Sequence, residues 1–161
     1  MIEVADFPKT GSFKIGAFKI YLNEFTYDEL CDVLGVPEEI FLVLGHEDVY
    51  MYKYEESGLG RILAFREREK VVEIHFEPEQ DVLIKKMVSD MGKKPKMILN
   101  KRLKYLFFCE QIAGRILDEK RGTLNVLGFF DREYLKRKQL PYFFLSGIAY
   151  DPTILRSIYI D

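Results

Sequence analysis

The chain has 161 residues, enough for one domain with a real core, and its 48% hydrophobic and 14% aromatic content excludes a disordered polymer. A formal net charge of −2 argues against a wholesale nucleic-acid binder, which would be basic, though it leaves room for a local basic patch. The apolar runs are far too short to span a membrane, and the N-terminal "MIEVADFPKTGSFK" carries acids where a signal peptide needs basic residues. The expectation is a cytoplasmic protein with no membrane contact.

In chain order, residues 12–23, "SFKIGAFKIYLN", read as a strand interrupted at Gly16. "FTYDELCDVLG" reads as a helix: Thr26 is the cap, Glu29 completes a capping box, and Gly35 ends it. "IFLVLGHEDVYMYKYEE" has one or two strands broken near Gly45, and its alternating tyrosines are expected to pack against the sheet. "SGLG" is a turn. "RILAFRER" and "KVVEIHFEPE" form a hairpin with the charged tip "EREK".

In the second of these strands Val72, Ile74 and Phe76 alternate with Val71, Glu73 and His75, so one face is apolar and the other bears an acid and an imidazole. "QDVLIKKMVSDM" has Leu83, Ile84, Met87, Val88 and Met91 at helical spacing, and "GKKPK" breaks it. Pro95 suits the first turn of a second helix running to about Ala113, with Leu99, Leu103, Leu106, Phe107 and Ile112 on its buried side. "GRILDEKRG" holds a short strand. "TLNVLGFFDREYL" fits a short helix, and "TLNVLGFF" fits a strand equally. "KRKQLPYFFLSGIAYDPTILRSIYI" closes the chain as a strand pair, with Pro141 at an edge or bulge, "SG" as its turn and Pro152 bending the last stretch. Helices alternating with hairpins predict a single α+β domain over residues 1–161, with one mixed, mainly antiparallel sheet flanked by helices.

Cys31 and Cys109 fall in apolar helical patterns and read as buried thiols. His46 and His75 lie in different segments, so no metal site is expected. "KRLK" (101–104) and "LKRKQ" (135–139) read as solvated faces that would join "GKKPK" in one basic surface if the fold brings them together.

Three stretches carry a family resemblance. "FKIYLNEFTYDEL" is similar to the opening strand and helix of the GNAT superfamily of N-acetyltransferases. "GRILAFREREKVVEIHFEP" is similar to that family's central hairpin. "TLNVLGFFDREYLKRKQLPYFFLSGIAYDPTILRSI" resembles its ending, through Phe129, Phe130, Asp131, Arg132, Gly147 and Asp151. The resemblance covers the chain from about residue 18 and implies a GNAT-like fold.

What the resemblance implies for chemistry is acyl transfer from acetyl-CoA to an amine, which needs a base, a polarised thioester and a proton for the leaving thiolate. Glu73 matches the family's strand glutamate, and His75 shares its face with a pKa range suited to a base. The alternative for Glu73 is a cross-strand ion pair with Arg66 or Arg68, and for His75 a structural or solvated place. The family's final-helix tyrosine aligns with Phe130, which lacks a hydroxyl; Tyr134 lies one turn further on, with ordinary packing as its alternative.

The family's glycine-rich diphosphate cradle has no counterpart in "EPEQDV", where Glu77, Glu79 and Asp81 would repel a diphosphate. Gly92, Lys93, Lys94 and Lys96 offer a substitute anion site at the start of the second helix. Three readings follow. The first is a GNAT-fold module with a degenerate cofactor loop, weakly active or non-catalytic, that binds a protein partner or forms a homodimer and is similar to phage or mobile-element proteins of host cytoplasm or virion. The second is an acetyl-CoA-dependent N-acyltransferase acting on a protein N-terminus or small amine, and the third an unrelated α+β inhibitor or immunity-type protein.

Overall fold

A computed structural model describes residues 2–43, 49–56, 58–100, 103–137, 141–144 and 155–158. The expected break at Gly45, the "SG" turn, Gly147, Asp151 and Pro152 lie outside these residues. The chain opens with β1 (Ile2–Glu3), a single helical turn α1 (Phe7–Thr10), β2 (Ser12–Ile15) and β3 (Phe18–Tyr21); the one interrupted strand expected over 12–23 is instead a hairpin that reverses around Gly16. These three strands form a small antiparallel sheet in the order β1-β2-β3.

Helix α2 (Tyr27–Leu34) follows with the predicted capping box. The Thr26 hydroxyl accepts from the Glu29 N–H at 3.2 Å, and the Glu29 carboxylate accepts from the Thr26 N–H at 3.3 Å. Strands β4 (Glu39–Val43), β5 (Val49–Glu56), β6 (Gly60–Glu67) and β7 (Lys70–Pro78) then run as successive antiparallel neighbours. After the short β8 (Val82–Leu83), helix α3 (Ile84–Met91) buries Met87 and Met91.

From here the structure departs from the sequence reading. Residues 95–113 form no helix: β9 (Lys96–Asn100) and β10 (Leu103–Cys109) make a hairpin, and β11 (Ile112–Asp118) and β12 (Thr123–Phe130) continue the meander. The reason is two-sided burial. Leu106 and Phe108 enter the core on one face, while Tyr105 packs among Phe143 and Phe144 on the other. A strand covered on both faces loses its period-two signature and reads like a buried helix. "TLNVLGFF" resolves the same way, as strand β12 followed by helix α4 (Arg132–Arg137). A 3₁₀ turn (Tyr142–Phe144) and β13 (Leu155–Ile158) complete the described elements, so the predicted closing hairpin is replaced in part by that turn.

The large sheet has ten strands in the order β13-β4-β5-β6-β7-β12-β11-β10-β9, with β8 pairing off this path on β12. The expected α+β class and mainly antiparallel pairing hold, while the single mixed sheet is corrected: the described strands form two sheets, every pair in them is antiparallel, and helices are few. No helix among the described residues is long and apolar enough to cross a membrane.

One face of the large sheet, bearing Ile62, Ala64, Ile74, Phe76, Leu127 and Phe129, packs against the small sheet, α2 and α3. Phe13 of β2 stacks on Phe129 of β12 with ring centroids 3.8 Å apart and docks the small sheet on the large one. The other face lies under α4 and the 3₁₀ turn, and holds two aromatic-rich clusters around Tyr134 and Phe143.

At Gly60, which opens β6 with φ +131°, an added Cβ would sit 2.2 Å from the Glu77 carbonyl oxygen. Both the backbone conformation and the space demand glycine there. Gly60→Ala is therefore expected to lower the unfolding free energy by about 2–4 kcal/mol, read as a shifted urea midpoint at unchanged m-value.

Candidate functional site

Strand β7 does not alternate through its whole length. A register shift between Phe65 and Arg66 of β6 inserts Val72 as a bulge, so Val71, Ile74 and Phe76 face the main core while Val72, Glu73 and His75 face the opposite side. The predicted division of acid and imidazole from apolar residues holds for Glu73, His75, Ile74 and Phe76 and is inverted for Val71 and Val72. The polar face is closed to solvent: Glu73 is 0%, His75 4% and Tyr134 0% exposed.

These three residues meet. Glu73 Oε2 lies 2.8 Å from His75 Nε2, and Glu73 Oε1 accepts from the Tyr134 hydroxyl. The backbone N–H of Tyr142 donates to Oε1 at 2.7 Å and that of Phe143 to Oε2 at 3.1 Å. The carboxyl group thus collects partners from β7, α4 and the 3₁₀ turn. His75 lies against Phe65 and Phe143, with ring centroids at 4.8 and 5.2 Å.

Burial raises the Tyr134 phenol far above its ordinary range, helped by the adjacent Glu73 carboxylate, and burial pushes Tyr142 up to about 12. The arrangement is sealed and geometrically saturated, the form of a buried polar clamp. The expected ion pair of Glu73 with Arg66 or Arg68 is absent. Arg66 instead donates to the Tyr52 hydroxyl at 2.9 Å and to the Arg68 carbonyl, and covers the Tyr27 ring at 4.6 Å. His75 is buried, not solvated.

Two neighbours of the clamp have roles that the sequence reading did not assign. Asp131 caps α4, accepting from the Tyr134 N–H at 3.1 Å, and its other oxygen accepts from the Glu24 N–H at 2.8 Å. An acid directly ahead of "REYL" was the available signal. Gly128, paired with His75, makes room for Phe143, whose ring atoms would lie 2.6 Å from an added Cβ. No local signal marks that position.

The second group of predicted residues lies elsewhere. Gly92 is the left-handed cap of α3, its N–H donating to Val88 O at 2.9 Å, so Gly92, Lys93, Lys94 and Lys96 follow the C-terminus of a helix and lead into β9. The expectation that they open a helix is corrected. Lys93, Lys94 and Lys96 line an open cleft of about 870 Å³, whose far wall carries Arg132 and Lys136 of α4. Glu110 is the one acid among the lining residues, and the cleft's apolar parts come from Phe107, Phe108, Cys109 and Leu135.

The "GKKPK" and "LKRKQ" runs therefore do converge at one cleft, through Lys136 of the second. In the acidic "EPEQD" stretch, Glu77 pairs with Arg61 at 2.9 Å and Glu79 accepts from the Gly58 N–H at 3.0 Å, so two of its carboxylates close a hairpin end. Cys31 and Cys109 are half-buried free thiols, with burial raising Cys109; Cys109 ends a strand, not a helix. No group of three or more metal-ligating side chains occurs among the described residues.

The chain matches no protein-family model and no curated protein. Among solved structures it is similar to an extracellular protein containing an SCP domain from Bacillus anthracis str. Ames, at 13% identity and a TM-score of 0.49, over 73% of this chain and 47% of that one. It is also similar to a cysteine-rich secretory protein from Staphylococcus aureus subsp. aureus Mu50, at 12% identity and a TM-score of 0.44, over 70% of this chain and 46% of that one. The chain thus spans about half the length of each.

The GNAT resemblance is corrected by the strand topology, and no comparison supports it. The segment expected to supply a helix crossover is a β-hairpin, and no parallel pair occurs among the described strands. The readings of a GNAT-fold module and of an N-acyltransferase fall with it, and with them the reason for expecting acetyl-CoA at residues 92–96. No observation singles out the inhibitor or immunity-type alternative. The cytoplasmic expectation finds no support in these comparisons, whose two solved structures are described as extracellular and secretory.

Two outcomes test the clamp. Glu73→Gln replaces an acceptor facing two backbone N–H donors with an amide that can satisfy only part of them, and is expected to cost about 1–3 kcal/mol of stability by urea denaturation. At alkaline pH the folded state keeps Tyr134 and Tyr142 protonated where the unfolded chain releases protons near the ordinary value of 10.0. The native state then binds more protons than the unfolded one, so stability falls as pH rises above that value. Tyr134→Phe is expected to flatten this fall, followed by denaturation midpoints across the alkaline range.

Proposed function

We propose that the protein is a binding domain whose ligand surface is the cleft between the α3–β9 turn, the end of β10 and α4, and that its ligand carries clustered negative charge. The observation that supports this reading is the imbalance of the lining: five cationic side chains, Lys93, Lys94, Lys96, Arg132 and Lys136, against the single carboxylate of Glu110. That concentration stands out on a chain whose net charge is −2. A concave, partly apolar surface with one sign of charge focuses its field on the opening and raises the local concentration of an oppositely charged ligand.

Lys93, Lys94 and Lys96 are exposed and take part in no ion pair among the described residues, so a ligand need not displace an existing partner. Lys136 has a local partner in Glu133 at 3.1 Å, an exposed pair of low energy. The apolar floor would hold the uncharged part of the ligand.

Inorganic pyrophosphate titrated into ¹⁵N-labelled protein at low salt is expected to shift the amide resonances of residues 92–96 and of α4, with an affinity that declines as salt is added. The double charge reversal Lys94→Glu and Lys136→Glu is expected to abolish those shifts while leaving the rest of the spectrum in place. Shifts that are absent at millimolar pyrophosphate, or that persist in the double variant, would remove the cleft as the ligand surface.

A further inference from the structure

We infer that the ligand of this cleft is an acidic polypeptide segment with an apolar centre, seated inside the cleft between α4 and the α3–β9 turn, over the end of β10. The inference rests on the cleft reading above and names its occupant. The lining divides by chemistry. Lys93, Lys94 and Lys96 form one wall, Arg132 and Lys136 belong to the other, and Phe107, Phe108 and Cys109 make the floor, with Leu135 beside them on α4. Phe107 and Leu135 are half-buried and pack against the cluster of Tyr105, Phe143 and Phe144, so the apolar surface each leaves open is firmly held.

The cations thus stand in two groups on separate elements, with apolar surface between them. A matching ligand carries its negative charge in two groups on either side of an apolar centre. Arg132 and Lys136 are one helical turn apart, about 6 Å along the axis, which gives that wall room for two carboxylates. Arg132 is placed in advance. Its guanidinium donates to Gln111 Oε1 at 3.4 Å, and the Gln111 amide donates to Asn23 Oδ1 and to the Phe130 carbonyl, each at 2.9 Å. A cation already positioned loses less freedom when a carboxylate arrives. Glu110, exposed at the β10–β11 turn, repels a carboxylate at its end of the cleft and so favours an uncharged or basic residue there.

The site is less suited to other anions. A compact phosphate is best held by free backbone N–H groups at a helix start. Here α3 ends at the cleft with the Gly92 N–H bonded to Val88 O, and the first turn of α4 is capped by Asp131. A compact anion also leaves the apolar floor wet. A single-stranded nucleic acid is best held on projecting aromatic rings. Phe108 is buried, and Phe107 is stacked on Phe144 with centroids 5.1 Å apart.

The probe is a fluorescein-labelled hexapeptide with a glutamate pair on each side of a central Phe-Leu. It is compared with the same peptide carrying Ser-Ser at its centre and with a single-stranded oligodeoxynucleotide of matched charge. The Phe-Leu peptide is expected to bind in a salt-dependent manner and to shift the amides of residues 107–110 and of α4. It is also expected to slow maleimide labelling of the half-buried Cys109 thiol, with Cys31 as the internal control. The Ser-Ser peptide keeps the charge and loses the apolar centre, and is expected to bind about tenfold more weakly or worse.

Equal binding of the Ser-Ser peptide, or undiminished labelling of Cys109 with the Phe-Leu peptide bound, would overturn the inferred occupant and leave the cleft reading intact. So would a response to pyrophosphate with none to the peptide. An oligonucleotide that binds more tightly than the peptide would replace the occupant with nucleic acid. Silence from both pyrophosphate and peptide would sink the inference together with the cleft reading.

Discussion

A carboxyl group at the centre of a sheet, wholly removed from water, is tolerated only when its oxygens are fully occupied. Glu73 meets that demand with an imidazole, a phenol and two main-chain amides drawn from β7, α4 and the 3₁₀ turn. Residues 61 to 70 positions apart in sequence are thereby held at one point. Because α4 is tied at Tyr134 to this point and capped by Asp131 just ahead of it, the helix has little freedom in where it lies across the sheet. Arg132, Leu135 and Lys136 then form the far wall of the cleft as a consequence. The buried clamp and the open basic surface are thus two ends of one arrangement: the first positions what the second presents.

The large sheet is covered on both faces. Its main-core face receives the small sheet through Phe13 and Phe129 and receives α2 and α3. Its other face receives α4 and the aromatic 3₁₀ turn, where Phe143 and Phe144 contact Tyr105, Phe130 and each other edge-on or tilted. Gly128 is the concession that lets Phe143 approach the strand. Double coverage raises the apolar content of β10 and β12 until their sequences no longer alternate, and it accounts for the missing helix at 95–113.

The charge distribution follows a different logic. Acids and bases nearly cancel over the whole chain, and in the acidic stretch at the end of β7 and just beyond it the carboxylates of Glu77 and Glu79 meet Arg61 and a backbone N–H. The lysines of the α3–β9 turn have no such partners among the described residues, and α4 adds two more cations opposite them. An overall charge near zero therefore conceals a cleft with a strong local sign.

What the sequence determined alone was local. The Thr26–Glu29 capping box and the hairpin joining "RILAFRER" to "KVVEIHFEPE" depend on interactions a few residues long, and each formed as its pattern requires. The polar pair Glu73 and His75 was also legible as an anomaly on a strand. Its meaning was not, because the partners that explain it, Tyr134 and the amides of Tyr142 and Phe143, arrive from remote segments. Only the tertiary structure decided that the acid is sealed, that Val72 bulges, that β9 and β10 are strands, and that two distant lysine runs face one another. Those outcomes turn on which surfaces are covered from both sides, and coverage is a property of the assembled chain that no window of neighbouring residues contains.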